Sequence, residues 1–213
     1  VLEETKSEAA SPDARAEAML AGVRAMGLDA LPWTSGLRGF QARNRFLHNH
    51  DPAWPDFSDE TLLAELEIWL APYLGNAARR THLARVDLAA ALSARLDWSQ
   101  QKKLETLAPT HLEVPSGSRI ALDYDADPPV LAVKLQEMFG QVETPAVAGG
   151  KVAVVVHLLS PAGRPLQVTQ DLGNFWRTGY AAVRAELRGR YPRHPWPEDP
   201  LTAPPTRRTK ARM

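Results

Sequence analysis

The sequence has no cysteine. Disulfides and thiolate metal sites are therefore excluded, which fits a reducing compartment and sets the expectation of a cytoplasmic protein. No apolar run approaches the about 20 residues that span a bilayer, so no membrane is expected as a partner. The opening residues V-L-E-E-T-K-S-E-A-A are polar and lack the apolar core of a signal peptide. With no initiating methionine either, the expectation is a piece of a longer protein. Net charge is also missing, 25 Lys and Arg facing 25 Asp and Glu. An apolar share of 44% with 23% charged residues excludes wholesale disorder.

Complete catalytic motifs are absent too. A phosphate-binding loop needs G-x-x-x-x-G-K-[ST] leading into a helix whose N–H groups face the phosphates. In A-G-G-K-V, Ala148 to Val152, Pro145 stands where the first glycine belongs and Val152 replaces the hydroxyl. A glycine turn into a strand is the better reading. Asp59-Glu60-Thr61-Leu62 has the lettering of a helicase acidic box, but it follows A-W-P-D-F-S rather than a buried strand. Its acids suit the positive first turn of a helix. No G-x-S-x-G surrounds Ser160. His48 and His50 point apart on a helix with no third ligand nearby in sequence, so no metal site is assigned. His157 reads as a core histidine of an apolar strand. No catalytic residue and no cofactor is assigned, and the chain alone is expected to be non-catalytic.

What is present falls into two halves, 1–108 and 109–213. The first reads as helical. Ser11-Pro12 starts a helix that Gly27 closes. A second covers Leu37 to His48. A third is capped by Ser58 and runs through Leu62, Leu66, Trp69 and Tyr73 on one face. Shorter helices follow over Asp87–Leu96 and Ser99–Leu107. The second half changes period. H-L-E-V-P-S-G-S-R-I-A-L-D-Y alternates about Ser116-Gly117 as a β-hairpin. Asp127-Pro128 is expected to open a helix ending at Gly140. K-V-A-V-V-V-H-L-L reads as one buried strand, and L-Q-V-T-Q as its partner across the S-P-A-G-R-P turn. A last helix carries Phe175, Trp176, Tyr180, Val183 and Leu187. The fold class is α+β: a helical half, then a small, mostly antiparallel sheet packed by two helices and an ordered proline-rich tail.

Charge is unevenly spread. From Leu172 onward nine Lys and Arg face three acids, which points to a polyanion or an acidic partner. Its last residues, R-R-T-K-A-R-M, serve equally well as a solubilising tail. R-G-R-Y-P-R-H-P-W-P-E-D-P, residues 188–200, cannot form regular structure yet carries Tyr191, Trp196, His194 and three arginines. Trp196 is expected to be substantially buried and this tail ordered, with Glu198 and Asp199 pairing with nearby arginines. Arginine forks suit phosphates, and aromatic faces suit bases. The candidate nucleic-acid-binding residues are Arg119, Arg164, Gln167, Thr169, Arg177, Arg188, Arg190 and Arg193. Gln167 and Thr169 should face outward, alternating with buried Leu166 and Val168.

Four ordered stretches carry a family resemblance. L-A-P-T-H-L-E-V-P-S-G-S-R-I-A-L-D-Y, P-P-V-L-A-V-K-L-Q-E-M-F-G, H-L-L-S-P-A-G-R-P-L-Q-V-T-Q-D-L and the 188–200 stretch together resemble the C-terminal region of the bacterial HrpB family of ATP-dependent helicases. That family is related to the DEAH-box RNA helicases. The likeness is close over 104–208. It extends into the helical half at A-L-P-W (Ala30 to Trp33) and W-L-A-P-Y-L (Trp69 to Leu74). It implies upstream motor domains that use ATP and Mg²⁺ and move on nucleic acid, but it carries no residue role onto this chain. Two readings stay open: an accessory module that contacts RNA or braces the motor, and a protein-interaction or purely structural module.

Overall fold

The structure, a computed structural model, describes residues 11–75, 77 and 79–209. Asn76, the ten N-terminal residues, and Lys210 and Arg212 of the basic tail lie outside them. The chain divides into two compact units between Lys102 and Lys103.

The first unit is helical. In α1 (Pro12–Met26) the Ser11 hydroxyl accepts from the Ala14 N–H at 3.2 Å, and Gly27 ends the helix at φ 81°. Helix α2 (Ser35–His50) is longer than expected because Thr34 caps it, accepting from the Leu37 N–H. The helix expected from Ser58 to Tyr73 is broken into α3 (Asp59–Ala64), α4 (Leu66–Trp69) and α5 (Ala71–Leu74). Two causes are visible. Glu65 leaves helical geometry at φ −104°, ψ 22°, and the Leu62 carbonyl accepts from the Trp69 indole at 2.8 Å. Pro72 then has no N–H to continue the ladder. At the first break, the largely buried Arg95 donates to the Glu65 carboxylate at 2.8 Å and to the Asp56 carbonyl at 3.1 Å. Short helices α6 (Arg80–Leu83) and α7 (Leu88–Ser93) follow, then α8 (Trp98–Leu107), in which the division between units falls. Phe57, Leu62, Leu66, Leu70, Leu88 and Leu92 form a fully buried core.

The second unit is built on a five-stranded sheet in the order β1 (His111–Glu113), β2 (Arg119–Asp123), β3 (Val130–Lys134), β6 (Val155–Leu159), β7 (Pro165–Thr169). Strands β4 (Ala146–Val147) and β5 (Val152–Ala153) form a separate hairpin, closed by Gly149 and Gly150 at positive φ. The A-G-G-K-V stretch is thus a glycine turn. All pairings in the main sheet are antiparallel except β3 with β6. Together with the helices, this makes the chain α+β.

The helix expected from Asp127 to Gly140 is instead β3 followed by one 3₁₀ turn, Leu135–Met138. Leu131 and Val133 are buried while Ala132 is exposed. That period-2 pattern suits a strand paired on both sides, which outweighs the helical spacing of Leu131, Leu135 and Met138. The stretch expected to be one buried strand is β5 and β6, which belong to different sheets. The last helix is also two, α9 (Leu172–Thr178) and α10 (Tyr180–Arg190), meeting at Gly179. A β-carbon there would sit 2.9 Å from the Phe175 ring, so the close turn between the helices requires glycine. No helix among the described residues is long and apolar enough to cross a membrane.

Candidate nucleic-acid interface

The registers place the candidate residues on specific faces. Leu158 pairs with Gln167, and Val156 with Thr169, on edge strand β7, where Gln167 is exposed and Thr169 half-buried. Val168 pairs with His157 on the opposite, open face and is 51% exposed. The expected alternation holds only in part: Gln167 is exposed and Leu166 half-buried, but Val168 is not buried and Thr169 is half-buried. The half-buried His157 stands on that open face between Ala132 and Val168 and is not a core histidine. Thr169 is occupied structurally: its hydroxyl accepts from the Asp171 N–H at 2.9 Å and donates to the Asp171 carbonyl at 3.0 Å. The Gln167 amide donates to the Val168 carbonyl.

Arg164 is exposed at the β6–β7 turn. The turn is tied by buried Ser160, whose hydroxyl accepts from the Arg164 N–H at 3.0 Å and whose own N–H donates to the Arg164 carbonyl at 2.8 Å. Gly163 supplies the positive φ. Arg119 lies elsewhere. It sits opposite Glu113 in the β1–β2 pair, with β3 and β6 between its strand and β7. Three strand spacings are roughly 14 Å, so the fold does not bring Arg119 to the β7 edge.

The remaining arginines follow one another along α9, α10 and the tail. Arg184 belongs to the fold: its Nε donates to the Trp196 carbonyl at 3.0 Å, and its guanidinium reaches the Glu198 carboxylate at 3.3 Å. Among the described residues Asp199 makes no such pair and accepts from the Leu201 N–H instead. Arg177, Arg188, Arg190 and Arg193 are exposed, and among the described residues none forms an ion pair. The Arg190 guanidinium lies 5.7 Å from the Tyr191 ring centre.

The tail is ordered without regular structure. Trp196 is half-buried rather than largely buried, and it lines a surface groove. Its indole N–H donates to the Tyr191 carbonyl at 2.9 Å. The Tyr180 hydroxyl donates to the Pro197 carbonyl at 2.9 Å, and burial pushes its pKa up to about 12, against the lowering influence of Arg184. The Gly140 N–H donates to the Pro200 carbonyl at 3.0 Å.

The anchor missed by sequence reasoning is Gln136. Buried in the 3₁₀ turn, its side chain accepts from His194 Nδ1–H at 2.8 Å and donates to the Arg208 carbonyl at 3.3 Å, while its own carbonyl accepts from the Thr206 N–H. A glutamine placed on an expected helix gave no signal of this. Burial, and to a lesser degree the nearby Lys134 charge, pull the His194 pKa below its ordinary value. A histidine depressed by folding binds its proton more readily in the unfolded chain. Its contribution to stability is therefore complete above about pH 6.5 and is lost as pH falls below it. His194→Gln is expected to flatten the pH dependence of melting between about pH 7 and 5. An unchanged slope in thermal melts across that window would refute it.

Comparison with known proteins fits this architecture. The family model for the ATP-dependent helicase C-terminal region of HrpB matches residues 69–200. The ATP-dependent RNA helicase HrpB of Escherichia coli (strain K12) is 46% identical over 205 residues, 94% of this chain and 25% of that protein. The chain belongs to the HrpB family. The crystal structure of the E. coli DExH-box NTPase HrpB superposes with TM-score 0.84 at 44% identity, over 95% of this chain. A second structure, of the E. coli DEAH/RHA helicase HrpB, gives 0.72 at 41% over 89%. This chain spans about a quarter of the length of each of these HrpB relatives.

Proposed function

We propose that this chain is an accessory region of an ATP-dependent RNA helicase that contacts single-stranded RNA through the arginines of its last helices and tail. The observation that carries the reading is the division of labour among those arginines. Arg184, which has an acid partner, holds the tail down. Arg177, Arg188, Arg190 and Arg193 stay exposed without one. Unpaired guanidinium groups on an ordered scaffold are suited to phosphate. Arg164 joins them from the β6–β7 turn, whereas Thr169, tied to Asp171, has less to offer a ligand. ATP and Mg²⁺ chemistry falls to upstream motor domains in a cytoplasmic helicase, and this chain itself is non-catalytic.

The second reading, a brace for those motor domains, is favoured by how firmly Tyr180, Arg184 and Gln136 fasten the tail. Salt separates the two. Labelled single-stranded RNA titrated at two salt concentrations should show log K falling with log salt by roughly 0.7 per phosphate contact, a slope near −2 to −3 for three or four contacts. A flat salt response, or no binding, would leave the bracing role.

A further inference from the structure

The arginines account for phosphate contacts but leave the groove beside Trp196 without a role. That groove, a cavity of about 490 Å³, is walled by Pro195, Trp196, Pro197 and Pro204, with Thr206 and Arg208 at its polar side. Its volume falls within the about 300–1,000 Å³ of small-ligand pockets, and its mix of apolar wall and few polar groups is theirs too.

We propose that this groove holds one unstacked nucleotide of a single-stranded RNA, its base against the Trp196 ring and its phosphate on the Arg208 guanidinium. The proposal rests on the RNA-contacting reading above and names where a base, as opposed to the backbone alone, is held. Three observations carry it. The walls are fixed before any ligand arrives. The Trp196 indole is tied to the Tyr191 carbonyl, its own carbonyl to Arg184, and the Thr206 N–H and the Arg208 carbonyl to Gln136. A preset aromatic face loses little entropy on binding. Next, Trp196 is half-buried with its N–H already bonded, so what it offers the groove is a flat ring, and every base has a matching face. Finally, the backbone of Arg208 is anchored while its exposed side chain forms no ion pair among the described residues. A proline-rich peptide would also fit the prolines and the indole, but it brings no negative charge for that guanidinium. Charge complementarity selects the nucleotide.

The test labels the tryptophans of the 213-residue chain with 5-fluorotryptophan, assigns the Trp196 ¹⁹F resonance with Trp196→Phe, and titrates three probes: a short oligoadenylate, an abasic strand of the same length, and a proline-rich peptide. The Trp196 resonance is expected to shift with oligoadenylate and not with the abasic strand. Trp196→Leu, which keeps an apolar filling but removes the ring, should weaken oligoadenylate about tenfold while barely changing the abasic strand. Arg208→Ala alters an exposed side chain and should fold normally. It is expected to weaken both strands several-fold and lower the salt slope by about 0.7. Salt-dependent RNA binding with an unmoved Trp196 resonance and full affinity in Arg208→Ala would overturn the groove assignment and leave the RNA reading standing. Absence of RNA binding would remove both. A shift with the peptide alone would make the groove a peptide site and defeat the proposal.

Discussion

Phe139→Ala is expected to destabilise the second unit by about 3–5 kcal/mol, the usual cost of emptying a fully buried aromatic site. Phe139 has no exposed surface. Its ring meets Tyr180 edge-on at 6.2 Å and Trp176 at 6.1 Å, so it joins the end of the sheet to both final helices. The next residue, Gly140, holds the Pro200 carbonyl. The cavity would therefore loosen helix packing and tail together. Domains of this size hold only about 5–15 kcal/mol in all, so the loss is a large share. Urea unfolding followed by near-ultraviolet circular dichroism measures it. A loss below about 1 kcal/mol would mean that the site collapses around the smaller residue and that the aromatic cluster is not the keystone of this unit.

The double change Arg188→Ala, Arg190→Ala is expected to do the reverse: leave folding alone and weaken RNA binding. Neither side chain has an acid partner among the described residues, and exposed substitutions of this kind stay within about 0.5 kcal/mol of stability. Two lost phosphate contacts should make the salt slope shallower by about 1.4 and lower affinity roughly equally on all sequences, since phosphate contacts carry little sequence information. Thermal melts and RNA titrations on the same sample test both halves. A lowered melting temperature with unchanged affinity of the folded protein would assign these arginines to the structure.

The parts legible in the sequence were those fixed by neighbours. Ser11, Ser58 and Asp87 each accept from an N–H three residues on, a bond that depends on local spacing alone. The hairpin of β1 and β2 turns at Gly117, whose φ of 76° only a few residue types tolerate. Illegible were features decided by distant partners. Val130 to Lys134 became a strand because β2 and β6 flank it, and residues 135–138 lost their helix to that placement. Val168 and His157, both expected to be buried, instead share the open face, because nothing in L-Q-V-T-Q says which face of an edge strand will meet helices. At the candidate interface, the arginine excess was visible as composition. That, among the described residues, Arg184 alone of the arginines of the last helices takes an acid depended on where the tail folds back.

That fold-back has a consequence for the birth of the protein. Gln136 waits for His194, Thr206 and Arg208, whose positions in the chain are 58 to 72 residues later. The first unit is compact within its own residues, and domains generally fold as units during synthesis at roughly 5–20 residues per second. The second unit, by contrast, leaves Gln136, Gly140 and Tyr180 without their final partners until the ribosome has released the proline-rich stretch. A stall after Arg190 would therefore present a nascent sheet with its clasp still missing.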